Sequence, residues 1–129
     1  MASELRVNTL KDAAGNNSVG MEYVANGSAK AWINFNGIGT IATRDSFNLS
    51  SLSDIGTGEY SVTIASAMSN TNYAVIGAVG RNANDGSMFA NPVGSVANTT
   101  TTQRIKGLYV DGGPIDMTQM CSSLLGDLA

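Results

Sequence analysis

Apolar and polar positions alternate with a period of two over several stretches of this chain, the signature of strands with one covered face. Ala29, Ala31, Ile33 and Phe35 alternate with Lys30, Trp32 and Asn34. Asn36-Gly37 follows at once. Both central residues of a type I′ turn need positive φ, so this pair predicts a hairpin into the apolar run Ile38 to Ile41. Phe47 and Leu49 carry the alternation through Ser46, Asn48 and Ser50, and a strand is expected near Asp45 to Ser50. Asp54 to Gly58 reads as a turn that opens a half-buried strand from Glu59 to Ala65, with Tyr60, Val62 and Ile64 facing one side.

Tyr73 to Val79 has a different character. Tyr73, Val75, Gly77 and Val79 share one face, Ala74, Ile76 and Ala78 share the other, and none is charged. Both faces then need cover, as in a central strand or one at a subunit contact. Asn82 to Gly86 is a polar loop of residues that tolerate left-handed backbone. A strand from Gln103 to Val110 leads to a tight turn at Asp111-Gly112-Gly113-Pro114. Met117, Met120, Cys121, Leu124, Leu125 and Leu128 fall at helical spacing, so pattern alone puts a helix ahead of a strand over 115–128.

Ahead of Ala29, Leu5, Val7 and Thr9 alternate, Ala13 to Ser18 turns, and Val19-Gly20-Met21 begins again. Such short strands bury little within one chain. The expected organisation is an N-terminal attachment or intertwined shaft segment over 1–28 and a head domain over 29–129, with an ordinary hairpin on the same domain as the alternative for 1–28.

Composition narrows the chemistry. Histidine is absent, which removes Ser-His-Asp triads, Cys-His dyads and histidine-ligated metals. The 129 residues suit one domain, and fifteen glycines with only two prolines and few aromatics suit short strands joined by turns. A net charge of −3 with seven scattered basic residues is no footprint for nucleic acid. No apolar leader region opens the chain and no apolar run is long enough for a membrane span, so no membrane insertion and synthesis in a cytoplasm without a signal peptide are expected. Cys121 is the one cysteine and is expected to be a buried small apolar residue. The Asn82 to Gly86 cluster lacks the carboxylates of a calcium loop, and no metal or cofactor is expected.

Gly56-Thr57-Gly58-Glu59-Tyr60-Ser61-Val62-Thr63-Ile64, followed by Ala67-Met68-Ser69-Asn70-Thr71-Asn72-Tyr73-Ala74-Val75, resembles a domain found near the ends of bacteriophage tail-fibre proteins. Ala31 to Gly37, Arg44 to Asn48 and Leu5 to Asn16 are similar to the same family. The resemblance implies an all-β, antiparallel β-sandwich, jelly-roll-like, carried at the tip of a trimeric fibre on a virion and built to contact a bacterial surface. It also implies a strand at the end of the chain before Gly126-Asp127, although Met117 to Cys121 departs from the β-branched residues expected there.

The functional expectation is thus a non-enzymatic virion structural protein, a tail-fibre tip module that binds a host glycan or protein. The alternative is a capsid decoration or collar-fibre protein with a purely architectural role. A carboxylate-only glycan hydrolase would need two acids about 5–10 Å apart in a cleft; Asp45, Asp54, Glu59, Asp85, Asp111 and Asp116 sit at or beside turns, where Asp favours backbone hydrogen bonding instead. Loop candidates for ligand contact are Arg81, Asn82, Asn84, Asp85, Ser87, Thr100 and Thr101. Candidates for contact with sister chains in a homotrimer are Leu5, Val7, Trp32, Val75 and Val79, and other virion proteins are expected partners. Tyr60, Tyr73 and Tyr109 are expected in the core.

Overall fold

The computed structural model describes residues 3–81, 86–91 and 97–129. Among these residues the chain forms β1 (Thr9–Lys11), β2 (Ser18–Gly20), α1 (Met21–Gly27), β3 (Ala29–Asn36), β4 (Ala42–Phe47), β5 (Leu49–Gly56), β6 (Glu59–Ile64), β7 (Ala74–Gly80), β8 (Ser87–Ala90), β9 (Thr102–Tyr109) and β10 (Gln119–Leu125). Two antiparallel four-stranded sheets, ordered β4-β3-β10-β7 and β5-β6-β9-β8, pack as a sandwich. No described helix is long and apolar enough to cross a membrane.

Alternation explains the central strands. On β3, Ala31, Ile33 and Phe35 are buried; on β6, Tyr60, Val62 and Ile64 are buried. The inward side chains form two clusters. Ile33, Phe35, Tyr60, Val62, Ile105, Met117 and Met120 fill one end, and Ala31, Ile64, Met68, Tyr73 and Leu124 fill the other. Phe35 and Tyr60 meet edge-to-face across the sheets, with centroids 5.0 Å apart, a geometry favoured by the ring quadrupoles. Each fully buried apolar side chain of this size contributes roughly 1.5–3 kcal/mol of transfer free energy.

Residues 115–128 are not helical. Gln119–Leu125 form β10, between β3 and β7, with Met120, Ser122 and Leu124 buried. The helical stripe misleads because Met117 belongs to the approach to the strand and Ser122, a polar residue, takes an inward position. Nor is β7 central: it closes the edge of its sheet, facing Val75, Gly77 and Val79 inward and Ala74, Ile76 and Ala78 outward.

The other departures are local. The β3–β4 hairpin exists, but residues 37–41 connect it and positive φ falls on Gly39 (66°), not on an Asn-Gly type I′ pair. Gly37 is a packing requirement instead: a Cβ there would sit 2.5 Å from the Tyr60 hydroxyl oxygen. The strand expected near Asp45 to Ser50 is two strands joined at Asn48, whose φ of 55° turns the chain from one sheet into the other. Asn48 Nδ2 donates to the Lys30 and Ser66 carbonyls at 2.9 and 3.2 Å, and its Oδ1 accepts from Ser66 N–H at 2.8 Å. Strand β5 then runs through Asp54 to Gly56, so the turn shrinks to Thr57-Gly58. Helix α1 was not anticipated; it buries no residue, and Lys30 Nζ caps it by donating to the Ala25 and Ser28 carbonyls, a cation at the negative end of the helix dipole.

Candidate functional site

The two outer faces of the sandwich differ. On the β5-β6-β9-β8 sheet, Ser53, Ser61 and Arg104 lie side by side, Glu59 ion-pairs with Lys106 opposite it, and Ser51 bonds Thr63 at 2.8 Å. Apart from Met88 beside Leu108 and the exposed Ile55 of β5, this is a solvated surface. On the β4-β3-β10-β7 sheet the register aligns Phe47, Trp32, Ser123 and Ile76 in one row across all four strands, with Cys121, Ala78, Leu125 and Ala74 in the flanking rows. Phe47 is 54% exposed and Ile76 is 60% exposed. Ser123 within the row, and Asn34 and Asp45 at one side, are polar.

The sheet edges differ as well. Edge strands invite pairing with other chains unless charge, a bulge or shortness blunts them. Strand β4 carries Arg44 and Asp45 and bulges beside Asn34 and Phe35, with the Arg44 guanidinium donating to the Phe35 carbonyl at 3.3 Å and the Thr118 carbonyl at 2.5 Å. Strand β5 has two register shifts, and β8 has only four residues. Strand β7 has seven residues, no charge and a regular register with β10. The least protected edge thus adjoins the apolar face.

Of the expected interface residues, Trp32 lies on this face, half-buried between Phe47 and Ser123. Val75 and Val79 do not: they pack inward against the two core clusters, and Ile76 and Ala78 are what β7 presents. The alternation itself holds, but which of the two apolar sides is covered depends on the second sheet. Leu5 and Val7 are exposed ahead of β1. Cys121 is half-exposed on the outer face, not buried, with its Sγ 3.6 Å from Gln119 Nε2.

The expected ligand loops resolve unevenly. Asn82, Asn84 and Asp85 lie outside the described residues. Ser87 is not in a loop; it opens β8 opposite Tyr109. The Arg81 guanidinium lies 4.9 Å from the Tyr109 ring centroid, a cation–π contact. The Thr100 and Thr101 carbonyls accept from Met68 and Ile64 N–H, both at 2.8 Å, so this loop is tied into the sandwich.

The described aspartates are committed to backbone. Asp12, Asp45, Asp54, Asp111 and Asp127 each accept a nearby backbone N–H. Asn17 above all, with backbone N–H groups of residues 15–17, holds Asp12 below the usual carboxylate range. Asp116 Oδ1 accepts from Gly58 N–H at 2.7 Å and lies 2.8 Å from the Tyr60 hydroxyl, which also lies 2.8 Å from the Gly37 carbonyl. Burial, then the Asp116 carboxylate, pushes the Tyr60 phenol well above its ordinary value; burial alone raises Tyr73. Among the described residues no three acidic or thiol side chains cluster closely enough to hold a metal. No protein-family model matches the chain, and no curated protein or solved structure matches it.

Proposed function

We propose that this chain is a non-enzymatic virion structural protein of the tail-fibre tip kind, which assembles as a homotrimer through the outer face of the β4-β3-β10-β7 sheet and contacts a host surface with its loops. The observation that carries the assembly is the contrast between the two outer faces. One is mostly a hydroxyl and ion-pair surface, with Ile55 and Met88 as isolated exposed apolar residues; the other presents Phe47, Trp32, Ile76, Ala78 and Leu125 beside an uncharged edge strand. Aromatic residues are enriched at subunit contacts, and burying this face removes apolar area from water. The tail-fibre part rests on the resemblance of the Gly56 to Val75 segment, and the non-enzymatic part on the engagement of the described aspartates with backbone. Repetition of a weak loop contact over three chains raises apparent affinity without new contacts.

Light scattering tests the assembly. The expected particle is three times the 13.3 kDa chain, and Ile76→Lys is expected to release monomers that keep the far-UV spectrum of the sandwich. A wild-type monomer at high concentration defeats the assembly reading. Gold-labelled antibody on the intact particle tests the location: distal tips are expected, and label over the capsid shell would favour an architectural role instead.

A further inference from the structure

A concave site of about 240 Å³ lies at the end of the sandwich where β7 begins and β10 ends, lined by Asn26, Ser69, Asn70, Asn72, Tyr73, Gly126 and Asp127. We infer that this cleft binds one neutral hexopyranose unit of a surface saccharide. The inference deepens the attachment reading and rests on it for its biological sense.

The walls formed by 69–73 and 126–127 are preorganised. Ser69 N–H donates to the Asp127 carbonyl at 2.9 Å, Ala129 N–H to the Ala67 carbonyl at 2.9 Å, and Met68 bridges Leu128. The chain end is thereby fastened to the 67–69 segment. Gly126 permits close approach to the floor, since a Cβ there would sit 2.9 Å from Tyr73 Cβ. The Tyr73 hydroxyl donates to the Thr99 carbonyl at 2.9 Å, so the floor is braced by the 98–102 loop. Asn70 Oδ1 accepts from Asn72 N–H at 2.8 Å and fixes the turn. A site whose walls need no ordering loses less entropy on binding.

Chemistry then selects the ligand. Some lining groups form no hydrogen bond within the protein among the described residues: the Asn72 side-chain amide, Asp127 Oδ2 and Asn26 Oδ1. Ser69 Oγ accepts from Asn70 and keeps its own proton to donate. These donors and acceptors together match vicinal hydroxyls, each of which both donates and accepts. The volume lies below the roughly 300 Å³ at which sites for drug-sized ligands begin, so the cleft suits a single sugar ring and a longer chain must project outward. Among the described residues Asp127 is the only charged one that lines the cleft and no cation does, which disfavours acidic sugars by repulsion and leaves them without a counter-ion.

The test titrates the intact protein with methyl α-glucopyranoside, methyl α-mannopyranoside, methyl β-galactopyranoside and, separately, glucuronate, following backbone amide resonances. At least one neutral glycoside is expected to shift the amides of 69–73 and 126–127 with millimolar affinity, and glucuronate is expected to bind about tenfold more weakly. Asn72→Ala should weaken the neutral glycoside about fivefold, the net worth of one hydrogen bond, and Asp127→Asn should bring glucuronate close to the neutral sugar. Absence of shifts with every neutral glycoside, shifts confined to other residues, or equal binding of glucuronate to the unaltered protein each overturn the inference. Sugar binding with label on the capsid shell would leave the cleft standing and remove the attachment reading; tip labelling without sugar binding would do the reverse.

Discussion

Gln103 Nε2 donates to Ser122 Oγ at 2.5 Å inside the sandwich, joining β9 of one sheet to β10 of the other. Both residues are only 2% exposed. A buried amide without a partner loses its hydration and regains nothing, at a cost of about 1–3 kcal/mol. Ser122→Ala should therefore destabilise by about that amount, while Gln103→Leu combined with Ser122→Ala should fall within about 1 kcal/mol of the unaltered protein, since removal of both partners leaves nothing unsatisfied. Urea unfolding of the double-mutant cycle measures this, and equal destabilisation of the single and double variants would refute it.

Gly77 makes room for Phe89. A Cβ at Gly77 would stand 2.3 Å from Phe89 Cε2, so the β7 strand can pass the β8 ring only without a side chain. Gly77→Ala is expected to cost about 1–3 kcal/mol through overpacking. Adding Phe89→Leu should restore part of the loss in thermal unfolding, because the smaller side chain clears the contact. A Gly77→Ala protein of unchanged stability would show that the ring has another place to go.

Asn48 unites two requirements at the corner between the sheets: positive φ and side-chain bonds to Lys30 and Ser66. Asn48→Gly loses only the bonds and Asn48→Ala loses both, so alanine should be the more destabilising by about 1–2 kcal/mol, the penalty of left-handed backbone for a residue with a Cβ. Denaturant midpoints of the two variants give the order, and the reverse order would discard the strain argument.

Tyr60 and Tyr73 set an alkaline limit. Both phenols have folded-state pKa values above the ordinary value of 10.0, so the folded state holds protons that the unfolded chain releases. Their contribution is complete below about pH 10 and is lost as pH rises above it, toward the folded-state values. Stability should be flat through neutral pH and fall above about 10 with a slope of at most 1.4 kcal/mol per pH unit for each group. Tyr60→Phe should flatten part of that fall, which chemical denaturation across pH 8 to about 11 would reveal.

The alternation that announced β3, β6 and β9 comes from each strand's own residues, since a strand with one covered face must place apolar side chains at every second position. Strand β5 was harder to read because serines occupy both of its sides, as an edge strand with a solvated face allows. The cleft at Asn72 and Asp127 left no mark in the pattern. Its walls come from helix α1 and from turns at 69–73 and 126–127 that are distant in sequence, and Asn-rich turns look alike whether or not a second segment stands opposite.

What the chain determined alone was its class: period-two patterning and abundant turn residues point to strands, and the absence of histidine rules out histidine-dependent triads. Tertiary structure decided the rest. Strand β10 overrides its helical stripe because Ser122 finds Gln103 on the facing sheet, so a polar residue occupies an inward position that no one-dimensional pattern anticipates. The order β4-β3-β10-β7 places β7 at an edge with Ile76 bare. Burial belongs to pairs of distant segments, and their pairing is a property of the folded molecule rather than of any window of sequence.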